Sequence, residues 1–216
     1  MNQFSELFMN EIYLEEKLPT KNNILLQAFK LYLANNVDRV TVEDLEKNTG
    51  ASRGAIFYHF QNKENIFNTV CDTFFFSDLN IFFPLSCDKN ITGLNEYILV
   101  RKERLIKTID WFNKQDIKLN PSGGFTHLMF QAKNHYPDFQ SKLSKFINDD
   151  ITEWKKAVSK GINKKEIKKD IDIDNIVFMI RSTLYSNLIG IYPKDIDDLR
   201  HFSASIELIY NSIKID

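Results

Sequence analysis

The chain has 216 residues, 43% of them hydrophobic and 26% charged, with a formal net charge of -1. That length supplies one sizeable core or a small domain attached to a larger one, and the near-neutral balance means that any nucleic-acid footprint rests on local placement of cations. Cys71 and Cys87 lack a C-x-x-C spacing, no stretch reaches the ~20 apolar residues of a membrane span, and the acidic start does not read as a signal peptide; a reduced, cytoplasmic protein without a disulfide framework, a cysteine zinc site or a membrane partner is expected.

Few glycines and prolines and no alternating run predict an all-α chain, broken at Pro19, Pro84, Pro121 with Gly123 and Gly124, Pro137 and Pro193. Residues 1–17 form an N-terminal extension in which Phe4, Leu7, Phe8 and Ile12 predict an amphipathic helix; its negative charge argues against a DNA arm. The first strong helix is "TKNNILLQAFKLYLANN". Ile24, Ala28 and Leu31 form one ridge, Leu25, Phe29 and Tyr32 another, and Asn36 suits a left-handed C-terminal position. "TVEDLEKNTG" follows, with Thr41 as N-cap, Asp44 three residues on, and Gly50 to close it. Ser52 caps a third helix, "RGAIFYHF", and Asn62 and Lys63 open a fourth.

Two short helices joined by a Gly-containing turn, with a helix packed across them, make a helix-turn-helix, whose second helix enters the DNA major groove. Ile56 and Phe60 lie four apart and are expected in the core. The rest of that helix is free for DNA. Arg53 donates to guanine or phosphate, Gly54 permits close approach, Ala55 and Phe57 meet thymine methyls, and Tyr58 and His59 reach bases or phosphates. Helix N-termini near Thr41 and Lys63 suit phosphate oxygens. Over residues 21–67 the cations Lys21, Lys30, Arg39, Lys47, Arg53 and Lys63 are nearly matched by Asp38, Glu43, Asp44, Glu46 and Glu64.

On "TVEDLEKNTGASRGAIFYHF", the trailing "NKENIF" and the apolar helix before them, residues 21–67 resemble the DNA-binding domain of TetR-type transcriptional regulators. That family usually has small residues where this chain has Glu46 and Thr49, and Tyr where it has Phe57. The resemblance implies a head at residues 18–68 and a larger helical bundle at 69–216 that binds an effector and dimerises through the last two long helices. It also implies a repressor, released from a near-palindromic operator by a small molecule. The bundle's aromatic content points to a largely apolar or aromatic effector, with Trp111, Phe130 and Arg181 as candidate contacts.

For Arg181, a salt bridge within the dimer is the favoured use. "NIVFMIRSTLYSNLIGIY" is apolar nearly all round, with Ser182 and Ser186 spaced for close helix approach. In the last helix Leu199, Phe202, Ile206, Ile209 and Ile213 are expected to complete a four-helix dimer seam. Asp149, Asp150 and Glu153 read as a solvated acidic turn, and the Lys-rich run 155–169 as a solvated surface. "DIDIDN" at 170–175 fails as a calcium loop, since Asn175 takes the Gly position and Arg181 that of the bidentate Glu; Asp172 reads as a helix cap. No catalytic set, metal set or cofactor motif stands out, and an enzyme ranks last. The competing function is a helical protein-interaction module that keeps a vestigial DNA-binding motif.

Overall fold

The computed structural model describes residues 20–76, 91–117, 124–189 and 196–215, without the side chains of 108–109, 184–189, 196–200 and 202. The predicted N-terminal extension, Cys87, Pro84, Pro121, Gly123 and Pro193 lie outside these residues. The described chain is helical: α1 (Thr20–Ala34), α2 (Val42–Thr49), α3 (Arg53–Phe60), α4 (Lys63–Phe74), α5 (Leu94–Lys114), α6 (Gly124–His135), α7 (Phe139–Asn163), α8 (Ile173–Ile189) and α9 (Ile196–Ile213). Among the described residues the one β-type pairing is the isolated antiparallel bridge between Ile167 and Lys214.

The chain packs as two compact units that are not consecutive in sequence. Of the described residues, the first holds 20–76 and 124–143, the second 91–117, 144–189 and 196–215. The division expected at residue 68 runs once through the chain; the packing instead assigns α6 and the start of α7 to the unit that holds α1 to α4.

In the first unit α1 is the central element because its two ridges are both apolar. Ile24, Leu25, Ala28, Phe29 and Tyr32 are wholly buried, with Phe29 stacked on Phe74 of α4 at 3.9 Å and Tyr32 edge-on to Phe67 at 5.2 Å. The left-handed residue expected at Asn36 is absent: the described positive-φ residues are Gly50, Gln61, Asp116, Asp138 and Lys165. A distant side chain does its work instead. Gln131 of α6 accepts from the Val37 N–H and donates to the carbonyls of Tyr32 and Asn35, at 3.4 and 3.3 Å. It thereby satisfies carbonyls that the end of α1 leaves without helical partners. A second polar tie joins α4 to the α7 start, where Asp72 takes the Tyr136 hydroxyl and the Lys142 ammonium. Burial, and then the bond to Asp72, push the Tyr136 phenol up to about 12.

In the second unit Leu94, Tyr97, Trp154, Ala157, Val158 and Ile180 form the buried centre. Glu166 caps α5, its carboxylate accepting from the Asn95 N–H at 2.7 Å in the space that a side chain at Gly93 would occupy. Asp172 caps α8 as expected, accepting from the Asn175 N–H at 3.1 Å. The acidic turn does not behave as expected: Asp150 is completely buried. Arg181 donates to one carboxylate oxygen at 2.8 Å and Arg101 lies 3.4 Å from the other. Arg101 also stacks over the Trp154 ring, 5.5 Å from its centre, in a cation–π contact. The salt bridge of Arg181 is therefore within the chain. The cause is register: Asp150 falls four residues before the fully buried Trp154, on the same stripe of α7.

The dimer expectation also changes in detail. Ile206, Ile209 and Ile213 face the core of their own unit, while Leu199, Phe202 and Ser186 lie outside the described side chains. What α8 and α9 leave outward is Phe178, 67% exposed, Met179, 48%, and Leu208, 71%. The Lys-rich run is a surface as expected, with several of its cations already engaged: Lys155 by Asp174, Lys156 by Glu153 and Lys160 by the Ile91 carbonyl.

Replacing Asp150 with Ala removes the buried anion shared by the buried Arg101 and the half-buried Arg181. Loss of a partner from a buried ion pair costs about 3–5 kcal/mol, so denaturant unfolding of Asp150→Ala is expected to show a midpoint far below wild type.

Candidate nucleic-acid interface

The predicted reading surface depends on three successive caps. Thr41 opens α2 in a capping box: its hydroxyl oxygen accepts from the Asp44 N–H at 3.1 Å, and its own N–H donates to the Asp44 carboxylate at 2.8 Å. The Thr41 hydroxyl also donates to Asp44, at 2.7 Å, so its proton stays inside the box. Gly50, at φ 69°, supplies the left-handed residue that ends α2 and turns the chain toward α3. Ser52 opens α3 by accepting from the Ala55 N–H at 3.3 Å, and Asn62 opens α4 by accepting from Asn65 at 2.7 Å. Between α3 and α4 the Asn62 N–H reaches the Phe60 carbonyl at 2.7 Å across Gln61, held at φ 65°, ψ -49°. This is a γ-turn of the strained kind, with a side chain in a region that favours glycine.

With Ile56 and Phe60 buried as expected, α3 has a fixed inner side. Ser52, Arg53, Gly54 and Tyr58 are exposed, Tyr58 at 83%, while Ala55, Phe57 and His59 are half-buried. Arg53 places its guanidinium 5.8 Å from the centre of the Phe57 ring. Phe57, lacking a tyrosine hydroxyl, thus offers a face that orients the cation. Tyr58 and His59 meet edge to face at 5.2 Å. A methyl group at Gly54 would meet only the Ser52 hydroxyl, at 3.9 Å, so internal packing does not require glycine there. Lys63 is half-buried and its ammonium donates to the Asp38 carbonyl at 3.3 Å, pinning the start of α4 to the α1–α2 connection.

The unusual residues of α2 have structural work. Glu46 accepts from the Arg53 N–H at 2.7 Å, a first-turn donor of α3 that Ser52 does not serve. Thr49 donates its hydroxyl to the Leu45 carbonyl and accepts from the Ala51 N–H, while its own carbonyl takes the Asn23 amide of α1. Both positions thus hold the helix-turn-helix together by polar contacts. Their chemistry was visible in the sequence, but their partners were not.

The three effector candidates are not equivalent. Phe130, 60% exposed, belongs to the first unit; Trp111, buried, and Arg181, bound to Asp150, belong to the second. No helix among the described residues is long and apolar enough to cross a membrane, and no trio of His, Cys, Asp or Glu among them is grouped to hold a metal ion.

Residues 24–70 match the family described as "Bacterial regulatory proteins, tetR family". Over 166 residues the chain is 25% identical to the HTH-type transcriptional repressor AcnR of Corynebacterium glutamicum, an alignment covering 76% of this chain and 78% of that protein. Over 47 residues it is 43% identical to the AcnR repressor of Corynebacterium diphtheriae, covering 22% of this chain and 25% of the relative. A solved structure titled a SmeT–triclosan complex superposes with a TM-score of 0.54 at 17% identity, covering 91% of this chain and 92% of that one. At that identity the superposition speaks for the fold.

Tyr58→Ala is expected to leave the melting temperature of the protein unchanged while weakening DNA binding, because the ring touches solvent and not the core. Ser52→Ala removes a cap worth about 1 kcal/mol and is expected to lower both stability and affinity; circular dichroism melts beside fluorescence-anisotropy titrations separate the two.

Acid exposes the capping box. Backbone and then hydroxyl hydrogen bonds from Thr41 hold Asp44 below its ordinary value of 3.8. A depressed carboxyl contributes its stability above the unfolded-state value and loses it as pH falls through the folded one. The melting-temperature gap between wild type and Asp44→Ala is therefore expected to be widest above ~pH 5 and to close on acidification.

Proposed function

We propose that this TetR-type regulator is a transcriptional repressor that binds a near-palindromic operator as a homodimer and is released by a small-molecule effector. The observation that carries the reading is the surface of α3. Arg53, Gly54 and Tyr58 face outward on a helix whose opposite side, Ile56 and Phe60, is locked into the head. Arg53 suits guanine or phosphate, and the half-buried Ala55 and Phe57 suit thymine methyl groups. Thr41 and Lys63 act through the first-turn N–H groups of α2 and α4, since their side chains are engaged by Asp44 and the Asp38 carbonyl.

Dimerisation is supported by Phe178 and Met179 of α8 and Leu208 of α9, large apolar side chains left outward while Val177, Ile180, Ile206, Ile209 and Ile213 of the same helices are buried in their own unit. A two-fold dimer sets the two reading helices about one DNA turn, or a multiple of it, apart. Repression is supported by the repressors AcnR that the chain resembles. Release requires an effector that binds the two conformations of the dimer with different affinity. Within the second unit Trp111 is the remaining aromatic candidate for such a contact. Arg181 is tied to Asp150, so an anionic effector there would compete with an existing buried pair. A cytoplasmic location follows from the DNA target.

Selection from a random duplex DNA pool by the purified full-length protein tests the reading. Enrichment of a sequence with two-fold symmetry is the expected result. A folded dimer that enriches no sequence would overturn it and favour a protein-interaction module.

A further inference from the structure

Glu46 sits at the edge of the reading surface, its carboxylate 2.7 Å from the backbone nitrogen of Arg53 at the first turn of α3. No cation pairs with it among the described residues: the Arg53 guanidinium turns instead to the Phe57 ring. Over residues 20–76 six lysines and arginines face six aspartates and glutamates, so the segment that holds α1 to α4 has no surplus positive charge to offset it. A hydrogen-bond acceptor suffices to cap the Arg53 N–H. A full negative charge does more, since it repels the phosphates that approach a helix N-terminus in a DNA groove.

We infer that Glu46 is a specificity-determining residue, whose uncompensated carboxylate disfavours phosphate-driven binding to arbitrary DNA and makes occupancy depend on base contacts by the neighbouring α3 side chains. This rests on the DNA-binding reading above. Non-specific binding is almost entirely electrostatic, whereas the operator complex adds contacts to base edges. Repulsion at this point acts in every register that a mobile, phosphate-bound complex samples, whereas base contacts fix one register that can hold the carboxylate clear of the phosphates. Glu46 therefore lowers affinity for random DNA by a larger factor than affinity for the operator, where the neighbouring contacts hold the helix in one register.

Glu46→Gln separates charge from cap, because its amide oxygen still accepts from the Arg53 N–H. Operator and random duplexes would be titrated with wild type, Glu46→Gln, Glu46→Ala and a charge control in the second unit, Glu103→Gln, across a salt series. Glu46→Gln is expected to melt like wild type and to bind random duplex about threefold tighter. Its plot of log affinity against log salt is expected to be steeper by up to about 1, and its operator-to-random ratio smaller. Glu46→Ala loses the cap and is expected to melt lower, yet still to bind random duplex more tightly. Glu103→Gln leaves both affinities unchanged. A purely structural Glu46 would make both variants bind more weakly or equally, and that result overturns the inference. So does a changed base preference at a single operator position, which would make Glu46 a direct base contact. A wild-type protein that prefers no duplex overturns the DNA-binding reading itself, a result distinct from any behaviour of the variants.

Discussion

An eight-residue helix does not persist in water by its own hydrogen bonds, because nucleation consumes most of what so few bonds return. The proposed reading surface of this protein is such a helix, α3, and its position is set by its attachments. Ile56 and Phe60 fix its inner side, Ser52 and Glu46 each take a first-turn N–H, and the γ-turn at Gln61 directs the chain immediately into α4. Every outward side chain, from Arg53 to Tyr58, inherits its position from those contacts. The head can therefore present polar and aromatic groups at defined spacing without a large charge surplus.

The same reliance on polar attachment recurs away from the reading helix. Gln131 closes the end of α1 from a position 94 to 99 residues away, and Asp72 gathers Tyr136 and Lys142 at the start of α7. These ties make α6 and the first residues of α7 part of the head's own packing. The continuous helix α7 then carries the chain into the second unit, where Asp150, inside it, anchors Arg101 and Arg181.

The chain's departures from the usual small residues of α2 show how local chemistry substitutes for close packing. Thr49 returns its hydroxyl to the Leu45 carbonyl and receives the Ala51 N–H, so the turn is closed by hydrogen bonds. Glu46 reaches across the turn to the next helix. Neither residue disturbs Leu45, which remains wholly buried, because each directs a hydrogen-bonding oxygen to a backbone partner.

The sequence by itself determined what is local. Apolar periodicity, the caps at Thr41, Ser52, Asn62 and Asp172, the left-handed glycine at position 50 and the burial of Ile56 and Phe60 are all set within a few residues, where backbone geometry and side-chain reach leave little choice. The all-α architecture and the outward face of α3 follow from these. Tertiary structure alone decided which partner a polar group meets over long separations. Asp150 looked like solvated charge until α5 and α8 brought two arginines to it. Asn36 looked like a cap until Gln131 supplied one from α6. Ile206, Ile209 and Ile213 looked like an interface until the second unit closed over them, leaving Phe178, Met179 and Leu208 outside. An amphipathic pattern states that a face is buried and not what buries it, because hydrophobic attraction has no direction and a charge is neutralised only by whatever the fold places beside it.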